Sequence, residues 1–533
     1  MKFAQAPMPR DQVLLIPTKL GDVIPEDHPI RLLDELLGEL DWDAFNNQYR
    51  YEKRGRPPLP PRILASVWIY ALFRRVKSSR QLEYQLNTNI EFMWLAHGHR
   101  IDHSTLAHFR KNNKEAIKKI HRSLIKLVKD LGLIKIAELY VDGTRMQANA
   151  SRSRTMTAAK ASKLLELVQS EIDDYLEQTE LNDQSEDLFE DGNSGEHLPE
   201  HLNALNKRKE QIEQILQTCN EADATRKKQN IDPEKNPFQL PVTDQDSRVL
   251  PNKDGGYAPN YTPIVGVEGE LGLIVSSTII NSANEQDYLI ETVDDVEQNF
   301  GVTVETVGAD AAYSIGTNIT ELEFERGKDF LSPHRNGDVL ADNPAVREDL
   351  TQPVADEDLD KLPRNSSTGV FSPEAFVYDE ETDTYYCPQG RELQRAHQET
   401  RTQSSGEKVT FTRYYSISCA DCRVLSLCRN GSGHKRGRSV NRDEHEKNRS
   451  THRKKMSSEE AKLRYRKRLS PGERIFGQMK QGFGVRRFQT RGIESVLSEF
   501  GIMTIAHNAL RITNVIGSLA NLRALLSGNG KTA

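Results

Sequence analysis

The sequence is poor in cysteine and has no long hydrophobic run. Only 5 cysteines occur among 533 residues, which is an odd count and too small for a disulfide framework. No apolar run approaches the roughly 18 residues of a membrane-spanning helix, and the first residues lack the apolar segment of a secretory signal. These absences argue against membrane proteins and disulfide-rich secreted proteins, and we expect a cytoplasmic protein.

Charge changes sign from region to region, although the formal net charge is only −6. Residues 50–126 carry about 17 Lys and Arg against about 5 Asp and Glu, and residues 429–491 carry about 20 against about 6. Residues 151–240 and 338–386 are acidic, with net charges of about −8 and about −10. Two concentrated basic blocks predict two surfaces for a polyanion, and nucleic acid is the favoured partner. Solvated charged helices are the alternative.

The first 130 residues predict helices throughout. Apolar residues recur at helical spacing after His28, and a proline-rich connector prepares a helix that begins near Arg62. Asp102 is placed to cap another helix. Short helices with basic faces predict a helix-turn-helix-like DNA-binding domain at residues 1–130. A purely structural helical domain is the alternative, because the pattern indicates helices but not contacts with a DNA groove.

Residues 136–310 predict the first part of an α/β core. A strand near the start is followed by an insert, residues 155–240, in which Leu and Ile recur at helical period around an acidic break. This pattern indicates an antiparallel pair of helices. Residues 244–310 then predict hairpin strands, a helix and another strand.

Two further regions complete the expected architecture. Residues 311–460 form an insertion region with several cysteines, and residues 461–525 predict the closing helices. Strand, insert, hairpin, helix, strand and late helix is the order expected of an RNase H-like α/β core. We therefore expect such a core with three additions: an N-terminal all-helical domain, a helical insert after the first strand, and a cysteine-containing insert before the last catalytic helix.

Three acidic residues lie in settings typical of catalytic carboxylates. Asp142 and Asp310 each end a predicted strand, at the sheet edge where α/β sites form, and Glu473 lies in a basic, helix-like stretch. Converging carboxylates can hold two Mg²⁺ or Mn²⁺ ions, about 3.5–4 Å apart, that activate the attacking oxygen and stabilise the leaving oxygen. Either aspartate alone is more often a turn residue, but the three together predict a metal site. Glu494 and Glu499 are rival carboxylates, although the apolar helix around them indicates packing.

Lys480 follows Glu473 by seven residues. Two helical turns separate the two side chains, so they share a face. Lys480 is therefore a candidate to hold a DNA phosphate beside the metal site. An exposed helix pair with no such role is the alternative.

In combination these motifs resemble the bacterial insertion-sequence DDE transposases, within the group that has a Tyr/Arg/Glu/Lys signature and an N-terminal helical domain. The resemblance implies that Asp142, Asp310 and Glu473 are the metal-binding catalytic triad, and that Tyr465, Arg468 and Lys480 complete the signature. Four residues separate Arg468 from Glu473, where the family usually has three. The segments that carry the resemblance are Val141-Asp-Gly-Thr-Arg-Met, Ala309-Asp-Ala-Ala-Tyr, the stretch from Glu473 to Phe488, Gly55-Arg-Pro-Pro, Ser78-Ser-Arg-Gln-Leu-Glu, and Asp102-His-Ser-Thr-Leu-Ala-His-Phe-Arg.

Four more basic residues are expected to contact DNA. Arg486 and Arg487 follow the last catalytic helix, and Arg80 and Arg110 lie in the N-terminal helices. The expected partner is double-stranded DNA, both as element ends and as target. A homodimer is expected because two ends must be brought together, and the resemblance implies a bacterial, nucleoid-associated protein.

Four cysteines in the insertion region have spacing that suggests a metal. Cys387, Cys419, Cys422 and Cys428 are candidates for a Cys₄ zinc site. Similar cysteines in relatives imply a knuckle in this insert. Four reduced thiols are the alternative.

The expected activity is enzymatic. The protein would bind terminal inverted repeats, nick and release the element, and join its 3′-hydroxyl ends to target DNA. Two alternatives are a domesticated DNA-binding regulator without catalysis and a metal-dependent nuclease without strand transfer. The presence of all three acids argues against the regulator, whereas the nuclease would share the whole site.

Overall fold

The structure is a computed structural model. It describes residues 19–47, 58–186, 198–228, 231–252, 255–334, 343–365, 367–402, 408–416, 419, 421–429, 437–466 and 472–529. Within these ranges, no helix is long and apolar enough to cross a membrane.

The fold is mixed α/β. The helices, in chain order, are α1 Leu20–Val23, α2 Pro29–Gly38, α3 Asp43–Asn46, α4 Pro61–Phe73, α5 Ser79–Thr88, α6 Ile90–Leu95, α7 His103–Asn112, α8 Lys114–Asp130, α9 Ala158–Glu186, α10 Leu198–Lys228, α11 Leu289–Phe300, α12 Gly316–Ile319, α13 Leu425–Cys428, α14 Glu446–Met456, α15 Glu459–Arg466, α16 Gly472–Gly477, α17 Ile493–Ile516 and α18 Leu519–Asn529. The strands are β1 Glu138–Gly143, β2 Met146–Gln147, β3 Thr155–Met156, β4 Leu240–Pro241, β5 Arg248–Pro251, β6 Tyr257–Glu268, β7 Ile274–Ile280, β8 Thr306–Ala309, β9 Asp329–Leu331, β10 Val377–Asp379, β11 Thr384–Tyr386, β12 Glu392–Thr402, β13 Lys408–Ser416 and β14 Ser439–Asp443.

Helices fill the N-terminal region, and their caps follow from the sequence. α4 begins at two prolines, which suit the first helical turn because they lack an N–H that would otherwise be unpaired. The Asp102 carboxylate accepts the N–H of Thr105 at 2.8 Å and so caps α7. α8 is strongly amphipathic, with one buried face from Ala116 to Val128.

The central sheet determines where the predicted catalytic aspartates lie. Its strands lie in the order β7-β6-β1-β8-β9, with β2 and β5 also paired to β6. β6 runs antiparallel to β7 and β1, whereas β1, β8 and β9 are parallel to one another. α11 connects β7 to β8 and packs on β6 and β7. The carboxyl ends of β1, β8 and β9 therefore meet at one edge of the sheet.

α17 is buried around most of its circumference and packs against both the N-terminal helices and the central sheet. It packs against α2, α4, α7, α8 and β7. The N-terminal helices, the central strands and α17 consequently form one hydrophobic cluster.

Among the described residues, two larger cores and one small cluster, formed by Leu331, Met456 and Ala461, lie outside this cluster. α9 and α10 pack against each other along residues spaced by seven, such as Leu205, Ile212 and Cys219, which is the spacing of paired helices. Burial raises the pKa of Cys219 to about 11, as suits a packing residue. A second, antiparallel sheet in the order β10-β11-β12-β13-β14 covers the other core.

Candidate active site

Asp142 and Asp310 lie side by side at the edge of the central sheet. β1 and β8 run parallel with Val141 opposite Ala309, so the next residue of each chain segment brings Asp142 beside Asp310. Asp142 lies within β1 and is 8% exposed. Asp310 directly follows β8 and is partly exposed. The fold thus brings together two of the three acids that the sequence singled out.

Backbone and hydroxyl groups fix both residues. An Asp142 carboxylate oxygen accepts the N–H of Gly143 at 2.9 Å. The Asp310 carboxylate accepts the N–H of Ala312 at 2.8 Å and caps the 3₁₀ turn that follows. The Ser332 hydroxyl, directly after β9, donates to the carbonyl oxygen of Asp310 at 2.7 Å. Asp310 is therefore held through both its side chain and its main chain.

The strand beneath Asp142 is supported by an aromatic ring. A Cβ on Gly308 would lie 2.5 Å from the ring of Tyr140, so this glycine makes room for the ring beside β8. The Tyr140 hydroxyl donates to Glu138 at 2.8 Å, and burial raises the pKa of Tyr140 well above its usual value. Residues two apart on a strand share a face, so the ring lies on the same side of β1 as Asp142.

α16 carries Glu473 and packs against β1. Ile475 and Phe476 anchor this helix in the main hydrophobic cluster. Gly472 opens the helix, so Glu473 lies at its N-terminal end. The side chain of Glu473 and the whole of Arg468 lie outside the described residues, and their roles stay predictions.

Lys480 is bonded to the segment that follows Asp142. Its ammonium group donates to the hydroxyl of Thr144 at 2.7 Å and to the carbonyl oxygen of Arg145 at 3.0 Å. The helix widens here into a π-helical turn, Gln478–Gly482. Lys480 thus stands beside the site, and its contact with a DNA phosphate stays a prediction.

A fourth acidic residue, Glu285, lies against Gly143, the residue that follows Asp142. It opens the 3₁₀ turn before α11. A Cβ on Gly143 would lie 1.9 Å from a Glu285 carboxylate oxygen and 3.4 Å from the hydroxyl of Tyr313, and Arg145 approaches the Glu285 carboxylate at 3.7 Å. No local sequence pattern marks Glu285, because its position depends on how the loop after β7 folds over the end of β1.

The oxygen donors suit a hard divalent cation. Carboxylates are preferred ligands of Mg²⁺ and Mn²⁺, and Asp142 and Asp310 present them from adjacent strand ends. Among the side chains that the structure describes, no group of three or more His, Cys, Asp or Glu residues is placed to hold a metal. Glu473 is not one of those side chains, so the two aspartates supply only part of a ligand set.

The other residues expected to touch DNA lie in different settings. Arg80 on α5 and Arg486 after the π-helical turn are exposed. Arg487 donates to two carbonyl oxygens in the segment after β2, at 3.0 and 2.9 Å. Tyr465, on α15, packs partly buried beside the end of β9.

Arg110 is bound within the protein. Its guanidinium lies 4.5 Å from the ring centroid of Trp68, and burial lowers its pKa. Arg75 and Lys77 donate to carbonyl oxygens of the segment that follows Lys480, each at 2.9 Å. Part of the N-terminal basic block therefore binds this chain's own C-terminal region, which the net charge of a segment cannot reveal.

The two rival carboxylates are bonded within the protein, one in a buried site and one at the surface. Glu499 is buried and accepts the N–H groups of Gln489 and Thr490, together with the Thr490 hydroxyl at 2.7 Å. Glu494 is exposed and pairs with Lys114 at 2.7 Å.

The four cysteines of the insert lie around one small core. Cys387 and Cys428 are buried in it, and Cys422 packs against it. Burial raises the pKa of Cys387, and it raises that of Cys428 to about 12. Cys419 and the other three thiols are free, and since the described residues contain no group placed to hold a metal, zinc stays a prediction.

Two family models match the chain. Residues 386–513 match one described as "Transposase DDE domain", and residues 18–112 match one described as "Transposase domain (DUF772)". The resemblance to insertion-sequence DDE transposases is confirmed. The first match spans part of the cysteine-containing insert and runs into α17, and the second spans α1 to α7. Asp142 and Asp310 lie between the two matched regions.

One solved structure similar to this chain is described as "Cryo-EM structure of piggyBac transposase synaptic complex with hairpin DNA (SNHP)". The sequences are 11% identical, and the match covers 95% of this chain and 80% of that chain, with a TM-score of 0.32. A TM-score this low supports no conclusion about fold or ligands. A search of curated proteins gave no match.

Proposed function

We propose that this transposase binds the terminal inverted repeats of its element and catalyses metal-dependent DNA cleavage and strand transfer. The observation that carries the proposal is the meeting of Asp142 and Asp310 at neighbouring ends of parallel strands. It occurs in a chain with two regions that match transposase families. Glu473 is the proposed third acid, because α16 packs against the strand that carries Asp142.

The sheet supports an RNase H-like catalytic core. A hairpin, β6 and β7, is followed by β8 and β9, which add in parallel on the other side of β1. In α/β sheets, sites form at the carboxyl ends of parallel strands. The two aspartates lie at that edge.

The chain's own residues would prepare the reaction. When bound, two Mg²⁺ or Mn²⁺ ions would activate the attacking oxygen and stabilise the leaving oxygen. Asp142 and Asp310 would hold the ions with carboxylates that backbone N–H groups already orient. Lys480 fixes the segment after Asp142 and lies where a cation can neutralise a phosphate.

Double-stranded DNA is the proposed substrate, both as element end and as target. Arg80 and Arg486 are exposed and available to phosphates. Two copies of the chain would each hold one end, and a closed twofold dimer is the simplest arrangement that does so.

The test is cleavage of labelled element-end DNA in the presence of Mg²⁺. Wild type should cut the DNA at the element boundary and join it to a target duplex, whereas Asp142→Asn and Asp310→Asn should lose at least about 100-fold in rate. Glu494→Gln is the matched control, because it removes an exposed carboxylate that pairs only at the surface, and it should keep wild-type activity.

The products separate the alternatives. Cut ends without joined strands would indicate a nuclease, and binding without metal-dependent cutting would indicate a regulator. Equal cutting by wild type and Asp142→Asn would rule out the proposed site.

A further inference from the structure

His452, on α14 of the insert, is buried against the part of the core that carries Asp310. Its side chain is 1% exposed, and its ring stacks on Phe330 with centroids 5.4 Å apart. Nδ1 lies 2.6 Å from a carboxylate oxygen of Glu323, and Nε2 lies 2.9 Å from the carbonyl oxygen of Ser332. Both ring nitrogens therefore face oxygen atoms, so hydrogen bonds hold the imidazole from two sides.

Ser332 links His452 to Asp310. It directly follows β9, whose Leu331 lies opposite Gly308 in β8. Its hydroxyl donates to the carbonyl oxygen of Asp310 at 2.7 Å, while its own carbonyl oxygen receives the bond from His452. One serine thus joins the Asp310 backbone to a helix of the insert.

Ion pairs of Lys455 hold α14 in this position. Lys455, one turn after His452, lies 3.0 Å from Glu323 and 2.9 Å from Asp329, and it donates to the carbonyl oxygen of Phe330 at 2.9 Å. These contacts fix α14 against β9 and against a second π-helical turn, Thr320–Glu325, which carries Glu323. Buried groups with all partners satisfied are rigid, so a displacement of α14 would reach Ser332.

We propose that His452 is a positioning residue for Asp310, acting through Ser332. It makes the geometry of one catalytic aspartate depend on the seating of the insert helix α14. The role rests on the proposed function, since it matters only if Asp310 holds a catalytic metal. The insert therefore contributes to the geometry of the catalytic site through α14.

A neighbouring pair offers a matched control. His445, near the start of the same helix, lies 2.9 Å from the hydroxyl of Thr320, and Asn448 donates to that hydroxyl at 3.0 Å. This pair also ties α14 to the α12 region, but it contacts neither Ser332 nor Asp310. Thr320→Val removes these two hydrogen bonds near the start of α14 but leaves His452 and Lys455 bonded to Glu323 and β9, so α14 should stay seated beside Ser332.

The experiment compares His452→Phe, Ser332→Ala and Thr320→Val in the full chain. His452→Phe keeps a ring on Phe330 and removes both hydrogen bonds, whereas Ser332→Ala removes a single hydroxyl and should fold normally. The measurements are the element-end cleavage rate as a function of Mg²⁺ concentration, the affinity for the same DNA, and the melting temperature. A misplacement near 1 Å at a catalytic group costs up to about 100-fold in rate.

His452→Phe and Ser332→Ala should each need more Mg²⁺ for half-maximal cleavage and cut about 10- to 100-fold more slowly, with DNA affinity unchanged. The double variant should be no slower than the worse single variant, because both changes break one connection. Thr320→Val should cut at the wild-type rate. Wild-type rates in His452→Phe and Ser332→Ala would overturn the role of His452 alone, whereas a wild-type protein that cuts no DNA would overturn the proposed function and this role together.

Discussion

Replacing Gly143 with alanine should distort the candidate active site, because the added methyl group would collide with Glu285. A Cβ at this position would lie 1.9 Å from a carboxylate oxygen of Glu285 and 3.0 Å from its carboxylate carbon. Because carbon and oxygen need more than 3 Å, the carboxylate must move by over about 1 Å. Glu285 and its partner Arg145 are only 16% and 14% exposed, so little free space receives the displaced group.

The expected magnitude follows from crowding. Overpacking in a filled site costs roughly 1–3 kcal/mol of unfolding free energy. Since the displaced group lies against Gly143, which directly follows Asp142, a shift of this strand end near 1 Å should also slow DNA cleavage by up to about 100-fold. Thermal unfolding measures the first effect, and cleavage of element-end DNA with Mg²⁺ measures the second.

Two further variants make this prediction sharp. Gly477→Ala adds the same methyl group in α16, where nothing lies within 4 Å, and helix propensity should raise stability by about 0.5–1 kcal/mol. Glu285→Asp shortens the crowding side chain, so Gly143→Ala combined with Glu285→Asp should recover part of the lost stability. The reasoning is refuted if Gly143→Ala is as stable and active as Gly477→Ala.

Three other outcomes are expected. Burial lowers the pKa of His121 and of His507 to about 4. Below pH 6.5 the unfolded chain therefore binds more protons than the folded protein does. The unfolding free energy should fall as the pH drops from 6.5 to 4, by up to about 3 kcal/mol per histidine. Urea unfolding at several pH values checks this, and a flat profile would contradict it. Glu499→Gln should lower the unfolding free energy by roughly 2–3 kcal/mol, since the carboxylate accepts three donors in a buried site. The melting temperature should fall with it, and an unchanged melting temperature would count against that role. Cys387 and Cys428, buried and raised in pKa, should react with a thiol reagent more slowly than the two less buried thiols of the insert, as mass spectrometry of a labelling time course can show; equal rates would argue otherwise.

The sequence predicts the strand ends better than it predicts what surrounds them. Asp142 and Asp310 each follow an apolar β-type run, so local pattern indicates their position at the end of a strand. Their proximity follows once the strands are parallel neighbours. Glu285 and Ser332 lie beside them only because separate loops fold over the same edge, and no local pattern encodes that arrangement.

Charge patterns are equally limited. Arg80 and Arg110 lie in one basic block of the sequence, yet Arg80 is exposed, while Arg110 lies over the ring of Trp68. The difference depends on which helix face meets the rest of the fold. Counts of Lys and Arg predict that some surface is basic, but they do not separate cations that face solvent from cations that bind the chain's own carbonyl groups.

The position of α17 has a consequence for synthesis. The helices near the N-terminus share their hydrophobic cluster with α17, which ends at Ile516, so a growing chain cannot complete the burial of their apolar faces until α17 has left the ribosome. Until then those faces are open to chaperones or to other nascent chains. A fragment of residues 1–130 should accordingly bind a hydrophobic dye such as ANS, whereas the full chain should not.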